Sequence, residues 1–259
     1  MAVADDERYG RRLFDARRVN AAHPELADTV HRQLEAAGLV TFTGLHSVHA
    51  VNDVVAEVMN TASFQGPGPY GLHEVRDTRR HAHRADAVDL TRASVELHTS
   101  GAALRKPPRL VLIACINPGH MGGQTRLADG HAVFGDLLRE RPDTAHALSR
   151  KGASLLGRGD DVFPARVFTV RVDRAPVVRL RQDGLVRWPT DSQPHLPVLR
   201  NYLALSTMSV TLRAGEAYLL DNHRWLHGRT AFTGPRHFYR AEGKPRRRLR
   251  DDAWPGEAS

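Results

Sequence analysis

The feature that most constrains the fold is a series of short apolar or alternating segments separated by glycine and proline. The clearest is Arg109–Ile116, an apolar run that ends at Asn117-Pro118-Gly119 and predicts a buried strand. Further segments predict strands at 39–45, 167–172, 177–180, 210–212 and 215–221, and helical spacing predicts helices at 24–38, 50–62 and 130–138. Many short strands after two helices indicate two packed β-sheets with helical cover.

The organisation predicts one domain over residues 1–259, with a helical N-terminal cover and a basic C-terminal tail. We find no internal repeat, no linker, and no glycine fingerprint that follows a strand and opens a crossover helix. Hydrophobic residues make up 41% and charged residues 25% of the chain, which argues against disorder and against a coiled coil. No apolar run reaches the roughly 18 residues of a membrane span, and the N-terminus lacks a signal-peptide pattern, so we expect a cytoplasmic protein.

A single cysteine, Cys115, excludes an internal disulfide framework and a zinc site built from several cysteines. A bound metal would need histidine and oxygen ligands. Cys115 lies within the apolar run and is interpreted as a small core residue.

The formal charge of +8 is concentrated partly in two arginine-rich runs, at 76–84 and 244–250. The second run is interpreted as a solvated tail, with a nucleic-acid contact as the alternative. The first run contains Arg79 and Arg80, and it is either a solvated loop or a site for an anionic substrate.

Three segments carry the chemistry: Glu96-Leu-His-Thr-Ser-Gly101, Gly122-Gly-Gln-Thr-Arg-Leu-Ala-Asp129, and Leu220–Phe232 with its Leu-His-Gly-Arg sequence. Their order resembles the taurine dioxygenase and clavaminate synthase-like superfamily of iron(II)/2-oxoglutarate oxygenases, over about residues 90–240. The resemblance implies a mainly β fold with flanking helices, a double-stranded β-helix or jelly roll. It also implies iron(II) and 2-oxoglutarate as cofactors and a small-molecule substrate.

The resemblance assigns roles to individual residues. His98 and His227 match the two histidines of the family's iron-binding triad, whose remaining positions stay open for cosubstrate and O2. Thr125 matches a hydroxyl that contacts the distal carboxylate of 2-oxoglutarate. Arg236 best matches the arginine that pairs with this carboxylate, because the planar guanidinium binds carboxylates through two hydrogen bonds, and Arg240 is the second choice. Arg229 is interpreted as a structural partner of His227.

The carboxylate of the triad is missing, because Ser100 occupies the position where the family has Asp or Glu. The interpretation that we favour from the sequence is a halogenase, in which chloride fills the vacant position as in the superfamily's halogenases. In a second, the chain is a hydroxylase, with water or Glu96 on the metal; residues 96, 98 and 100 share one face of a regular strand. In a third, the site is inactive and the chain is a binding protein.

The halogenase interpretation predicts chlorination of an unactivated C–H bond in a small, anionic, phosphorylated or nucleotide metabolite. Arg79 and Arg80 are then its substrate-binding candidates, since arginine pairs well with phosphate oxygens. A small amino acid is the competing substrate. A nucleic-acid-binding protein is a further alternative, but no known nucleic-acid motif is present in the sequence.

Overall fold

The computed structural model describes residues 2–76, 91–172 and 174–250. Its α-helices are α1 (Ala2–Ala16), α2 (Leu26–Ala37), α3 (Val48–Val58), α4 (Gly130–Glu140), α5 (Pro142–Ser149) and α6 (Leu196–Leu205). Its strands are β1 (Arg18–Asn20), β2 (Leu39–Leu45), β3 (Met59–Asn60), β4 (His73–Arg76), β5 (Val95–His98), β6 (Leu110–Asn117), β7 (Met121–Gly122), β8 (Thr125–Asp129), β9 (Ser154–Leu156), β10 (Phe163–Ala165), β11 (Phe168–Arg171), β12 (Arg174–Val178), β13 (Val186–Arg187), β14 (Thr207–Val210), β15 (Gly215–Asp221), β16 (Trp225–Arg229), β17 (Phe232–Thr233) and β18 (His237–Pro245). None of the described helices has the length and apolar character needed to cross a membrane.

Two sheets form the jelly roll. The larger has the order β1-β2-β15-β6-β18-β3, with β4 also paired to β18, and the smaller has the order β14-β8-β16-β5. All of these pairs are antiparallel except β1 with β2. The predicted fold class, mainly β with flanking helices, is confirmed.

The strands of the larger sheet alternate between two apolar layers. In β6, Leu110, Leu112 and Ala114 pack towards α2 and α3, whereas Val111 and Cys115 pack with residues of the smaller sheet. The same alternation places Phe238 of β18 in the layer between the sheets. Because side chains alternate with a period of two, Arg240 and Glu242 share the face of Phe238.

Local sequence accounts for the helices that cover the larger sheet. The buried side chains of α2 recur every three or four residues, and the helix ends where Gly38 adopts a left-handed conformation with φ of 65°. In α3 the Ser47 hydroxyl accepts a hydrogen bond from the Ala50 N–H at 3.2 Å and caps the first turn. The cap starts α3 two residues before the predicted position, and the chain enters β3 at Met59.

The described part of the basic run, residues 244–250, contacts the domain, although its basic side chains are exposed to solvent. Leu249 is buried with 3% exposure in the core beneath α2. The Arg250 N–H donates to Glu35 at 2.6 Å, and the Arg247 guanidinium pairs with Asp28. Acidic residues on α2 and one buried leucine therefore hold this run against the domain.

Candidate active site

His98 and His227 lie directly opposite each other on neighbouring strands. They are Cα partners in the antiparallel pairing of β5 with β16, and their ring centroids are 4.5 Å apart with the planes inclined at 47°. In β16, Leu226 faces the helical layer and Trp225 packs in the layer between the sheets. His227 therefore lies on the inner face of the smaller sheet.

A β-bulge in β5 controls which side chains reach the space between the sheets. His227 pairs with His98, but Arg229 pairs with Val95, so β5 carries one extra residue. As a result, Val95 and His98 both line the inner cavities. The side chain of Glu96 is 62% exposed, with a carboxylate oxygen 4.0 Å from Arg126.

The expectation that residues 96, 98 and 100 share one face therefore fails at the bulge. Among the described residues, no group of three His, Cys, Asp or Glu side chains is arranged to hold a metal ion. The imidazoles supply two donors that iron(II) accepts. The described carboxylates do not supply a direct third donor, so the donor set fits the metal only if a further ligand comes from elsewhere.

A hydrogen bond defines the orientation of the first imidazole. His98 Nδ1 lies 2.9 Å from the carbonyl oxygen of Glu96. A carbonyl oxygen only accepts, so this contact requires a proton on Nδ1 and leaves the lone pair of the neutral ring on Nε2. Metal-binding histidines are commonly oriented by such a bond on the second ring nitrogen.

A cavity of about 50 Å³ adjoins the two histidines. We call it the Thr125 cavity, and its walls include both histidines and Thr125, Tyr218, Arg236 and Arg240. The residues that the sequence predicts to bind metal and cosubstrate therefore lie next to one another. Tyr218 of β15 was missed, because it follows the strand pattern of an ordinary core residue.

Arg236 is held at the wall of the Thr125 cavity by aromatic rings. It is 7% exposed, and its guanidinium carbon lies 3.5 Å from the centroid of Phe238 and 5.3 Å from that of Phe232. Both rings present π faces that attract a guanidinium. The aromatic contacts fix a buried cation beside Thr125, which is 3% exposed.

Arg229 also lines the Thr125 cavity, and its guanidinium connects two chain segments. Its Nη1 donates to the Ala93 carbonyl at 2.6 Å, and its Nη2 donates to the carbonyl of Thr91. The guanidinium also lies 4.8 Å from the ring centroid of Phe232. These contacts anchor the segment that leads into β5, in agreement with a structural role.

The backbone around Ser100 is held from two sides. Asn222 accepts the Ser100 N–H at 2.7 Å and donates its amide to the carbonyls of Ser100 at 2.9 Å and Pro108 at 2.8 Å. On the other side, the Thr99 N–H donates to the Leu180 carbonyl at 2.9 Å. Ser100 is 3% exposed, so its position is closely defined.

A second cavity, which we call the Ser100 cavity, has a volume of about 350 Å³ and is lined by His98, Ser100, Asp183, Arg240 and Glu242, among other residues. Within it the Ser100 hydroxyl donates a hydrogen bond to the carboxylate of Glu242. Glu242 was not identified from the sequence, because it lies 142 residues beyond Ser100 and belongs to no motif. Its alternation with Phe238 and Arg240 was the available signal.

Asp183 adds a second carboxylate to the Ser100 cavity. Arg181 donates to it from Nε and Nη2, each at 2.7 Å, and the Leu185 N–H donates at 3.0 Å. Burial alone would raise the pKa of Asp183, but these hydrogen bonds, the charge of Arg181 and the proximity of His98 lower it overall. Asp183 is therefore an anion matched by Arg181.

The remaining predicted site residues, Arg79 and Arg80, lie outside the described residues. The Ser100 cavity carries charges of both signs, from Arg181 and Arg240 and from Glu96, Asp183 and Glu242.

Residues 5–241 match a family model described as taurine catabolism dioxygenase TauD, TfdA family. Trimethyllysine dioxygenase of Gallus gallus is 29% identical over 166 residues, covering 56% of this chain and 39% of that protein. Uridine-5'-phosphate dioxygenase of a Streptomyces species is 29% identical over 140 residues, covering 48% of this chain and 50% of that protein. The chain thus spans half or less of the length of these curated relatives.

Solved structures of low sequence identity share the fold. An asparagine oxygenase in complex with Fe(II), hydroxyasparagine and succinate superposes with a TM-score of 0.66 at 14% identity, covering 92% of this chain and 90% of that one. The non-haem iron oxygenase OrfP, in complex with Fe and alpha-ketoglutaric acid, gives 0.61 at 13% identity, covering 92% and 89%.

Proposed function

The chain belongs to the TauD, TfdA dioxygenase family, and from that premise we propose that it is an iron(II)- and 2-oxoglutarate-dependent oxygenase that hydroxylates an unactivated carbon of a small polar molecule. The observation that carries the proposal is the pairing of His98 with His227 beside the Thr125 cavity, where Thr125 and Arg236 lie. Iron(II), together with 2-oxoglutarate and O2, supplies the oxidising power for C–H cleavage.

The chain's own residues perform three tasks in this proposal. His98 and His227 bind the metal, and the bond from His98 to the Glu96 carbonyl orients the first ring. Arg236 pairs with the distal carboxylate of 2-oxoglutarate and Thr125 donates its hydroxyl to it, in a buried setting where charge-assisted hydrogen bonds are strong.

Chlorination is the second candidate, with chloride as a further cofactor. The observation that favours it is that no described carboxylate joins the two histidines. Against it stands the carboxylate of Glu242, which accepts the proton of Ser100. The negative charge of Glu242 beside Ser100 would disfavour a halide there, because like charges repel.

The test measures succinate formed from 2-oxoglutarate by protein reconstituted with iron(II) in air, with and without chloride. Hydroxylation predicts turnover that is indifferent to chloride, and an oxygenated product once a substrate is supplied. A chlorinated product would support the second candidate instead. Absence of succinate from the wild-type protein, with every candidate substrate, would contradict both.

For the substrate, we propose a small anionic molecule of the phosphorylated or nucleotide class. The basic run with Arg79 and Arg80 supports it, as does the relative named for uridine-5'-phosphate. Titration with nucleoside monophosphates and matching nucleosides, repeated with Arg79→Ala and Arg80→Ala, tests this assignment. Equal affinity for both ligand classes would remove the run from the site, and tighter binding of a small amino acid would favour the competing substrate.

A further inference from the structure

The site holds a carboxylate that no family motif assigns. Glu242 lies on β18, in the larger sheet, and accepts a hydrogen bond from the hydroxyl of Ser100, which follows β5 of the smaller sheet. Both residues line the cavity that His98 also lines. A negative charge thus stands one hydrogen bond away from the position where the family's own carboxylate is missing.

The serine is held so that its hydroxyl keeps this partner. Asn222 binds both the N–H and the carbonyl of Ser100, and the neighbouring Thr99 is bound to Leu180. These bonds leave the serine backbone little freedom to turn. The hydroxyl proton is committed to Glu242, and the oxygen keeps lone pairs for another partner, because a serine hydroxyl carries one donor and two acceptor positions.

Glu242 is held in the site by its strand and by two nearby polar side chains. It shares the inner face of β18 with Phe238 and Arg240, and its side chain is 12% exposed. Its carboxylate oxygens lie 3.9 Å from Arg240 Nε and 3.8 Å from His73 Nε2. A carboxylate with so little exposure is costly unless it is paired, and these neighbours offset that cost.

From this arrangement, and on the premise of the proposed function, we propose that Ser100 and Glu242 together replace the missing carboxylate of the metal centre. The Ser100 oxygen would bind the metal, and Glu242 would supply the negative charge through the hydrogen bond. Glu242 is then a positioning residue that acts through Ser100. This agrees with the lack of a group of three His, Cys, Asp or Glu side chains that could hold a metal among the described residues.

A neutral hydroxyl oxygen is a weak ligand for iron(II). An anion that accepts a hydrogen bond from this hydroxyl increases the electron density on its oxygen. Partners of this kind, one bond removed from the metal, typically change metal affinity by about 10- to 100-fold when they are removed.

The experiment is an anaerobic calorimetric titration of the metal-free protein with iron(II), in the absence of 2-oxoglutarate and substrate. The variants are Glu242→Gln, Ser100→Ala and the double variant Ser100→Asp with Glu242→Gln. Glutamine keeps the size and an acceptor oxygen but removes the charge. Glu96→Gln is the matched control, because that carboxylate also lines the Ser100 cavity but is largely exposed and faces Arg126.

We expect each single variant to raise the Kd for iron(II) about tenfold or more, and the double variant to return it to within about threefold of wild type. Rescue of this kind would not follow from a merely structural role. The Tm of each metal-free variant separates loss of fold from loss of the ligand, and if Glu242→Gln does not fold, Ser100→Ala carries the test.

Iron(II) binding by Glu242→Gln or Ser100→Ala that equals that of Glu96→Gln would overturn the proposal, as would a double variant no better than Glu242→Gln. A different result would contradict the proposed function, namely a Kd for iron(II) in His98→Ala equal to that of the wild-type protein.

Discussion

Asn222 is the residue whose removal should most affect the position of Ser100. Its side chain is 1% exposed and satisfies three backbone groups: the N–H and carbonyl of Ser100 and the carbonyl of Pro108. In Asn222→Ala, all three lose their partner in a buried place. At about 1–3 kcal/mol for each unsatisfied group, with some relaxation, we expect a loss of about 4 kcal/mol in the free energy of unfolding.

For a chain of this size about 1 kcal/mol corresponds to a change in Tm of about 2–4 °C, so calorimetry should show a decrease of about 8–16 °C. Asn222→Asp keeps the acceptor oxygen but loses both N–H donors, and it places a negative charge against two carbonyl oxygens. It should therefore be at least as destabilising as Asn222→Ala. The control is Asn60→Ala, whose exposed side chain accepts one bond from the Ala62 N–H at 3.0 Å. We expect it to change stability by about 0.5 kcal/mol. A loss below about 1 kcal/mol in Asn222→Ala would refute this reasoning.

Four further predictions follow from the same geometry. Ser100→Asp alone should lower the free energy of unfolding of the metal-free protein, because the new carboxylate faces Glu242, and adding Glu242→Gln should restore it. Equal stability of the single and the double variant in urea would contradict the contact between residues 100 and 242. Arg236→Ala should raise the Kd for 2-oxoglutarate about tenfold or more, since a hydrogen bond to a charged group contributes about 1.5–3 kcal/mol; unchanged calorimetric affinity would exclude this residue from the cosubstrate site. Cys115, whose pKa burial raises to about 12, should resist thiol reagents at pH 8 until the protein unfolds, and rapid labelling of the native protein would show that the buried position is wrong. The pKa of Asp183 is lowered in the folded protein, so its ionised form stabilises the folded state above the unfolded pKa, and this stabilisation is lost as pH falls through the folded pKa. Asp183→Asn should therefore lower the free energy of unfolding by about 1 kcal/mol or less at pH 7. A stability difference between wild type and Asp183→Asn that persists undiminished far below pH about 4 would contradict the assignment.

Sequence reasoning predicted the parts of the fold that follow local pattern. The strand at 39–45 and the strand at 215–221 have the predicted bounds, because short, mostly apolar segments next to a glycine specify buried strands. The helix α1 was missed, since charged residues are interspersed among its apolar ones, and its packing against β14 is a tertiary effect. Leu249 was missed for the same reason, because one leucine among arginines gives no periodic signal.

The residues of the candidate site also fall into those that sequence motifs predict and those that only the tertiary structure reveals. His98, Thr125, His227 and Arg236 were predicted because ordered motifs carry them, and the sheets bring them together. The bulge in β5 depends on pairing with β16 and left no mark in the sequence, so the expected face shared by Glu96 and His98 was wrong. The partner of Ser100 could not be found locally either, because Glu242 reaches it through the antiparallel pairing of β18 with β6, which returns the chain across the sheet.

The central claim is that His98 and His227 form the iron-binding centre, and it is tested most directly by anaerobic titration of the metal-free protein with iron(II), followed by measurement of bound metal. His146→Ala is the control, because this histidine is exposed on α5. We predict one iron(II) per chain in the wild-type protein and in His146→Ala, and loss of stoichiometric binding in both His98→Ala and His227→Ala. Full iron occupancy in either of these two variants would contradict the account.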